Sequence, residues 1–175
     1  MKKRAPFILL AFFYLAFFAT LLLTANHLPD PVASHFNSRG NPDNWMVRSN
    51  YFFLTVGLAL FLPGLVVGLC YAIRFMPHSV INLPRREYWL APGRRHETFD
   101  HVFTQSIWFA CMAVAFVIGI HLIVLEANAQ FPVKLSAPLL MGVAGCFLIG
   151  VIGWSLRLIW RFLREERAPN ISERA

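Results

Sequence analysis

Two histidines and two aspartates lie in or beside the polar stretch Leu28–Trp45, which separates two long apolar segments. The side chains of His35 and Asp43 are of types that bind zinc or transfer protons, and His27 and Asp30 lie nearby in the sequence. A zinc site needs three or four ligands in a fixed geometry, and this spacing does not specify one. We therefore predict no metal and favour a structural role, in which His35 bonds the hairpin backbone and Asp43 caps a turn. His35 and Asp43 remain weak metal candidates.

His121 is the one histidine or charged residue well inside an apolar segment, and Glu126 follows at the end of the same segment. Ionisable groups at membrane depth are functional candidates by default. Two interpretations stay open. His121 and Glu126 could form a polar path for protons or a solute, or His121 could be a neutral histidine bonded to a neighbouring helix.

A second polar segment, residues 74–101, combines arginines with aromatic side chains. Guanidinium groups bind phosphate in bidentate fashion, and aromatic residues beside basic ones are typical of helices that lie on a lipid surface. We predict an amphipathic segment on the inner leaflet that meets anionic lipid headgroups. Its candidate binding residues are Tyr88, Trp89, Arg94 and Arg95.

The segment His96–His101, HETFDH, differs from the zinc-protease motif, which places two histidines four residues apart on one helical face. Here they are five apart, which puts them about 140° apart around a helix. We expect Glu97 to pair with His101, or His96 with Asp100. The sequence offers no nucleophile beside a base and no glycine-rich phosphate loop, so it predicts neither a named reaction nor a cofactor.

Membrane helices must position these residues, because 57% of the 175 residues are hydrophobic and only 14% are charged. Four segments are long and apolar enough to cross a bilayer, and a backbone without water must be helical there. Small residues at 142, 146, 150 and 153 predict close contact between the fourth span and a neighbouring helix. We predict an all-α membrane protein, a single four-helix transmembrane bundle over residues 1–162 with a polar cytoplasmic tail at 163–175. The spans are expected at about 5–25, 49–73, 102–125 and 135–156.

Orientation follows from lysine and arginine, which are retained on the cytoplasmic side. All of them except Arg39, Arg48 and Lys134 lie at the termini or in the 74–101 loop. Both termini are therefore predicted to be cytoplasmic. The turn signal Asn37–Gly40, between segments 32–36 and 43–47, predicts a short extracytoplasmic hairpin between spans 1 and 2. We assign the basic rim to anionic lipid rather than to nucleic acid.

Two motifs carry a resemblance to a known family. LPDPVASHFNSRGNPDNW, in the first loop, resembles the hallmark loop of a bacterial membrane family of unknown general function, best known as the N-terminal part of SdpI-like immunity proteins. INLPRREYWLAPGRRHET, in the second loop, is similar to that family's second motif. The family commonly has proline two residues before the histidine, where this chain has Ala33. Position by position, the resemblance points to Leu28, Pro29, His35, Gly40, Asp43 and Trp45, and to Asn82, Pro84, Tyr88, Trp89, Arg94 and Arg95.

The resemblance implies a multi-pass protein of the bacterial inner membrane, and an immunity role only in some members. We predict a binding, sensing or immunity accessory protein, rather than an enzyme, whose partner is a peptide or another membrane protein. The alternatives are a membrane enzyme using His35 and Asp43 at the outer face, and a small transporter using His121 and Glu126. The sequence names neither the ligand nor the oligomeric state. The candidate binding residues are His35, Asn37, Gly40, Asp43, Trp45, Asn82, Tyr88, Trp89, Arg94 and Arg95.

Overall fold

A computed structural model describes residues 4–164 of the chain. Its elements, in chain order, are α1 (Ala5–Thr24), β1 (Val32–Phe36), β2 (Pro42–Met46), α2 (Arg48–Ala72), α3 (Arg86–Trp89), α4 (Arg95–Asn128) and α5 (Ala137–Leu163). The four long helices are each long and apolar enough to cross a membrane, which confirms a predominantly helical, multi-pass membrane protein. The predicted tail at 163–175 falls, beyond residue 164, outside the described residues.

The long helices extend beyond the apolar segments at two points. α4 begins at Arg95 rather than near residue 102, and α5 continues to Leu163 rather than ending near residue 156. Both extensions contain charged residues, which pair with one another: Arg161 of α5 lies 3.7 Å from Glu97 of α4. Hydropathy alone does not detect such a helical turn, because it reads the end of the apolar run and not the end of the hydrogen-bonded backbone.

α4 is the central helix, and α1, α2 and α5 each pack against it. The main core lies where α1, α2 and α4 meet, and it buries Phe17, Leu21, Ala59, Val114 and Val117. α5 is peripheral. Phe162, near its end, is its one buried residue among those described.

The contact between α4 and α5 depends on a few close approaches. The rings of Phe116 and Phe147 stack at 4.5 Å between centroids, and a Cβ on Gly119 would lie 2.8 Å from a methyl carbon of α5. Gly150 also faces α4, because a Cβ there would lie 3.2 Å from a sulfur atom of that helix. The expectation of a continuous small-residue contact is wrong at Gly142 and Gly153, where a Cβ would meet no atom within 4 Å. The contact between the two helices therefore combines ring packing with close approaches at Gly119 and Gly150.

Between α1 and α2 the chain forms a two-stranded antiparallel sheet, β1 with β2. Val32 pairs with Met46, Ala33 with Trp45 and His35 with Asn44, with irregular register on both sides of His35. β2 begins at Pro42, one residue before the segment expected from the sequence. We call residues 28–46 the hairpin segment.

Candidate functional site

One face of the hairpin segment is buried against the helices. Val32 and Ala33 are fully buried and Leu28 is 2% exposed, and Leu28 and Val32 pack with Tyr51 of α2 and Val124 of α4. The register is irregular between Ala33 and His35, and after it Ser34 Oγ is buried whereas His35 is exposed. The apolar residues before His35 thus position it.

Asn128, at the end of α4, holds the hairpin by its backbone. Its side-chain oxygen accepts a hydrogen bond from Ala33 N at 2.9 Å, and its side-chain nitrogen donates to Ala33 O at 3.0 Å. The same nitrogen also donates to Val124 O at 2.9 Å, which fixes the amide on its own helix. The two-point contact joins β1 to the central helix.

The turn of the hairpin is closed by Asn37 and held from the side by the α4–α5 loop. The Asn37 side chain accepts from the backbone N–H groups of Arg39 and Asn41, the usual role of asparagine in a tight turn. Gly40 has φ +78°, and its carbonyl accepts a hydrogen bond from Leu135 N at 2.8 Å. A Cβ at Gly40 would lie 2.6 Å from Leu135 O, so only glycine fits this approach without movement.

The base of the hairpin is tied to α2. Asp30 accepts from Arg48 N at 3.0 Å, satisfying a free N–H at the start of the helix, and the Arg48 guanidinium donates to Leu28 O at 3.2 Å. Asp30 is therefore engaged in the fold. Among the described residues, no three His, Cys, Asp or Glu side chains come together as a metal site would need.

The outer face of the hairpin carries an exposed His–Asp pair. His35 Nδ1 lies 2.5 Å from Asp43 Oδ1, and the two side chains are 70% and 43% exposed. The expectation that His35 would bond the backbone and Asp43 cap a turn is wrong, because the two side chains bond each other. The register shift after His35 leaves Asp43 without a partner in β1, between Asn44, which pairs with His35, and Pro42, which pairs with Phe36. Asn44 and Trp45 of β2 are exposed beside them. These four residues, with Arg39 at the turn, form what we call the outer face.

Beneath the hairpin, His121 joins three helices through hydrogen bonds. The Thr24 hydroxyl of α1 donates to Thr20 O at 2.7 Å, so it accepts from His121 Nε2 at 2.8 Å. The Tyr51 hydroxyl of α2 then donates to His121 Nδ1 at 2.9 Å. These donor and acceptor roles are those of a neutral imidazole protonated at Nε2. Of the two open interpretations, the geometry matches a histidine bonded to its neighbouring helices.

Glu126, the other intramembrane candidate, has a different partner. One of its carboxylate oxygens accepts a hydrogen bond from the Gln130 side chain, and the other is buried with no protein partner in the described part of the chain. His121 and Glu126 therefore belong to separate hydrogen-bond groups. No hydrogen bond between described residues joins them into a path.

In the second loop, residues 74–101, the position of Trp89 differs from the prediction. α3 is a single turn, and Trp89 is only 6% exposed because its indole N–H donates to Phe162 O at 3.0 Å and its ring packs against the Phe162 ring. Thr98 of α4 donates to Trp89 O at 2.9 Å. The prediction that Trp89 meets lipid is therefore wrong, because this residue anchors the loop to the ends of α4 and α5.

The remaining loop candidates lie around this anchor. The Arg94 guanidinium lies 3.9 Å above the Tyr88 ring, Arg95 donates to Arg74 O at 3.3 Å, and Asn82 is exposed. His96 lies 3.4 Å from Asp100, as one of the two expected pairings requires. Glu97 pairs with α5 rather than with His101.

A concavity of about 450 Å³ that was not predicted from the sequence lies between the ends of α4 and α5. The signal for it is the spacing of Arg157, Arg161 and Arg164, which places three guanidinium groups on one face of a helix. The spacing alone does not predict a pocket, because the other lining residues come from α3 and α4. The lining residues are Trp89, His101, Gln105, Arg157, Leu158, Trp160, Arg161 and Arg164.

Residues 7–60 match the family described as a domain of unknown function, DUF1648. The match includes most of α1, the whole hairpin segment and the first half of α2. It agrees with an SdpI-like N-terminal region but does not name that family. No curated protein and no solved structure matches the chain.

Proposed function

We propose that this chain is an SdpI-like protein of the bacterial inner membrane that acts by binding a peptide or another membrane protein through the outer face of its hairpin. Both termini are cytoplasmic in this proposal, which the distribution of lysine and arginine supports. The role is sensing, immunity or assistance to another envelope protein. Anionic lipid at the basic end and the bilayer itself are its other partners, and nucleic acid is not one.

One observation carries the proposal: the hairpin is fixed from beneath, while its outer face takes no part in the fixing. Asn128, Leu135 and the buried strand residues hold the backbone. His35 and Asp43 are bonded only to each other within the described chain. A rigid backbone that displays a His–Asp pair and an exposed Trp45 loses little entropy on binding, which favours recognition.

The exposed pair contributes little to folding. Ion pairs between solvent-exposed side chains stabilise a protein by about 0–1 kcal/mol. Replacing His35 or Asp43 should therefore leave membrane abundance unchanged, so that a lost phenotype reports on binding.

Photo-crosslinking in living cells tests the proposal. A benzophenone amino acid at position 44, which pairs with His35 in the sheet, should give a discrete protease-sensitive adduct. His35→Ala and Asp43→Ala should each remove most of that adduct without lowering the amount of protein in the membrane. The matched control carries the probe at Phe61, which is 70% exposed on α2, and should give lipid adducts only. The same adduct at both positions, or a fall in adduct that follows a fall in abundance, would contradict binding at the outer face.

The short contact between His35 and Asp43 favours one second candidate. A carboxylate that orients an imidazole is the arrangement of a general base, so the outer face could instead act on a substrate or, with further ligands, hold a metal. Metal analysis of the purified protein separates the metalloenzyme version from binding. Stoichiometric zinc that is lost in His35→Ala would support the enzyme.

A further inference from the structure

The concavity between the ends of α4 and α5, which we call the cationic pocket, has more positive than negative side chains. Arg157, Arg161 and Arg164 line it. In the part of the chain that the structure describes, the one carboxylate within ion-pair distance of these arginines is Glu97, 3.7 Å from Arg161. The Nε atom of Arg161 is also buried without a hydrogen-bond acceptor among the described residues. A buried donor without an acceptor costs free energy, which an anionic ligand would recover.

Aromatic rings lie beside two of the arginines. The Arg164 guanidinium lies 3.4 Å from the Trp160 ring centroid, and that of Arg161 lies 5.8 Å from the Trp89 ring centroid. A ring beside a guanidinium group attracts its charge and limits the positions that the side chain adopts, and guanidinium groups bind phosphate through two N–H groups at once. Trp89 is itself fixed by Phe162.

An apolar groove of about 610 Å³ adjoins the cationic pocket. Leu156, Ile159 and Leu163 line it, and each is at least half exposed on the outer side of α5. Arg157 and Trp160 line both concavities, so the polar space and the apolar space meet along one edge of the helix. Phosphate chemistry fits the pocket, and a hydrocarbon chain fits the groove.

We propose that this combined site binds one anionic phospholipid, with its phosphate in the cationic pocket and an acyl chain in the groove. Basic pockets between transmembrane helices are a known means of holding anionic headgroups. A free phosphate ester would satisfy the arginines equally but would leave the groove without an occupant, so the adjoining groove favours a lipid. The inference does not depend on recognition at the hairpin.

Native mass spectrometry of the purified, delipidated full chain tests this site. The probes are phosphatidylglycerol, phosphatidylcholine with the same acyl chains, and glycerol 3-phosphate. Arg157→Gln combined with Arg164→Gln should weaken phosphatidylglycerol binding by about tenfold or more, since each basic residue near a lipid surface contributes about a fivefold effect. Arg161 is kept because it pairs with Glu97.

The matched control is Arg4→Gln combined with Arg86→Gln, which removes the same charge at two positions that do not line the pocket and should change binding by less than about twofold. Equal weakening in both double variants would overturn the site and indicate diffuse attraction. Phosphatidylcholine bound as tightly as phosphatidylglycerol would overturn charge recognition. Glycerol 3-phosphate that displaced the lipid at equal concentration would overturn the lipid and indicate a soluble phosphate ligand.

A measurement on the unmodified protein covers the case in which the pocket variant fails to fold. Raising the salt from about 50 to about 500 mM should weaken phosphatidylglycerol binding severalfold, because the Debye length shortens from more than 10 Å to less than 5 Å. Binding that did not change with salt would overturn the proposal.

Discussion

The hydrogen bond between Tyr51 and His121 gives a quantitative prediction for the helix bundle. Tyr51 is 5% and His121 1% exposed, and their polar atoms lie 2.9 Å apart. Hydrogen bonds between membrane helices contribute about 0.6 kcal/mol on average and up to about 2 kcal/mol. A buried polar group left without a partner costs about 1–3 kcal/mol. We expect Tyr51→Phe to lower the free energy of unfolding by about 1 kcal/mol.

His121→Leu should cost more, about 2–3 kcal/mol, because it removes the bonds to both Tyr51 and Thr24 and leaves the tyrosine hydroxyl without an acceptor. The double variant should cost about as much as His121→Leu alone, since the hydroxyl that would be left unpaired is then absent. The coupling free energy between the two positions is therefore expected near 1 kcal/mol. Reversible unfolding in mixed detergent micelles measures it.

Tyr14 provides the control for this cycle. Its hydroxyl donates to Ala59 O at 3.1 Å, away from the histidine network. Tyr14→Phe combined with His121→Leu should be additive within about 0.5 kcal/mol. Additivity of Tyr51→Phe with His121→Leu would refute the inferred bond between them, whatever the size of the single effects.

Three further predictions concern close packing and the hydrogen bonds that hold the hairpin. Gly40→Ala should destabilise the hairpin by at least about 1 kcal/mol, because φ is positive and the new Cβ would meet a carbonyl of the α4–α5 loop. Faster backbone hydrogen exchange in residues 32–46 would report this loss of stability, and unchanged exchange would contradict the prediction. Gly119→Ala should weaken the α4–α5 contact and lower the free energy of unfolding by about 1–3 kcal/mol. Gly142→Ala should be neutral or stabilising, because a Cβ there would meet no atom within 4 Å. Equal effects of the two variants in the same micelle unfolding assay would count against this helix pairing. Asn128→Leu should remove two hydrogen bonds to Ala33 and speed hydrogen exchange at the Ala33 N–H by about tenfold or more. An Ala33 N–H that stays protected from exchange would show that other contacts hold the strand.

The sequence predicts the membrane helices well because their signal is local. A run of apolar residues must be helical in lipid, whatever its neighbours are. The turn at Asn37 and Gly40 is likewise local, because asparagine and glycine have backbone preferences of their own. The start of α4 at Arg95 is harder to predict from the sequence, because a helical turn rich in charged residues has the same hydropathy as a loop.

The tertiary partners could not be predicted in the same way. Trp89 lies among arginines and another aromatic residue, as is typical of a residue at a lipid surface. It is buried because it packs against Phe162, which is 73 residues away in the sequence. The partners of His121 come from two other helices, at positions 24 and 51, and no spacing rule connects them. Arg157 and Arg164 show a helical spacing, but the pocket exists only where α5 passes the end of α4.

The proposed recognition of a partner depends most directly on the hairpin lying on the outer side of the membrane. In a background that lacks Cys70, Cys111 and Cys146, single cysteines at the exposed positions Arg39 and Glu87 can be compared in intact cells. A membrane-impermeant maleimide should label position 39 at once and position 87 only after the membrane is permeabilised. Labelling of position 87 with position 39 protected would contradict the account, because the outer face would then lie in the cytoplasm.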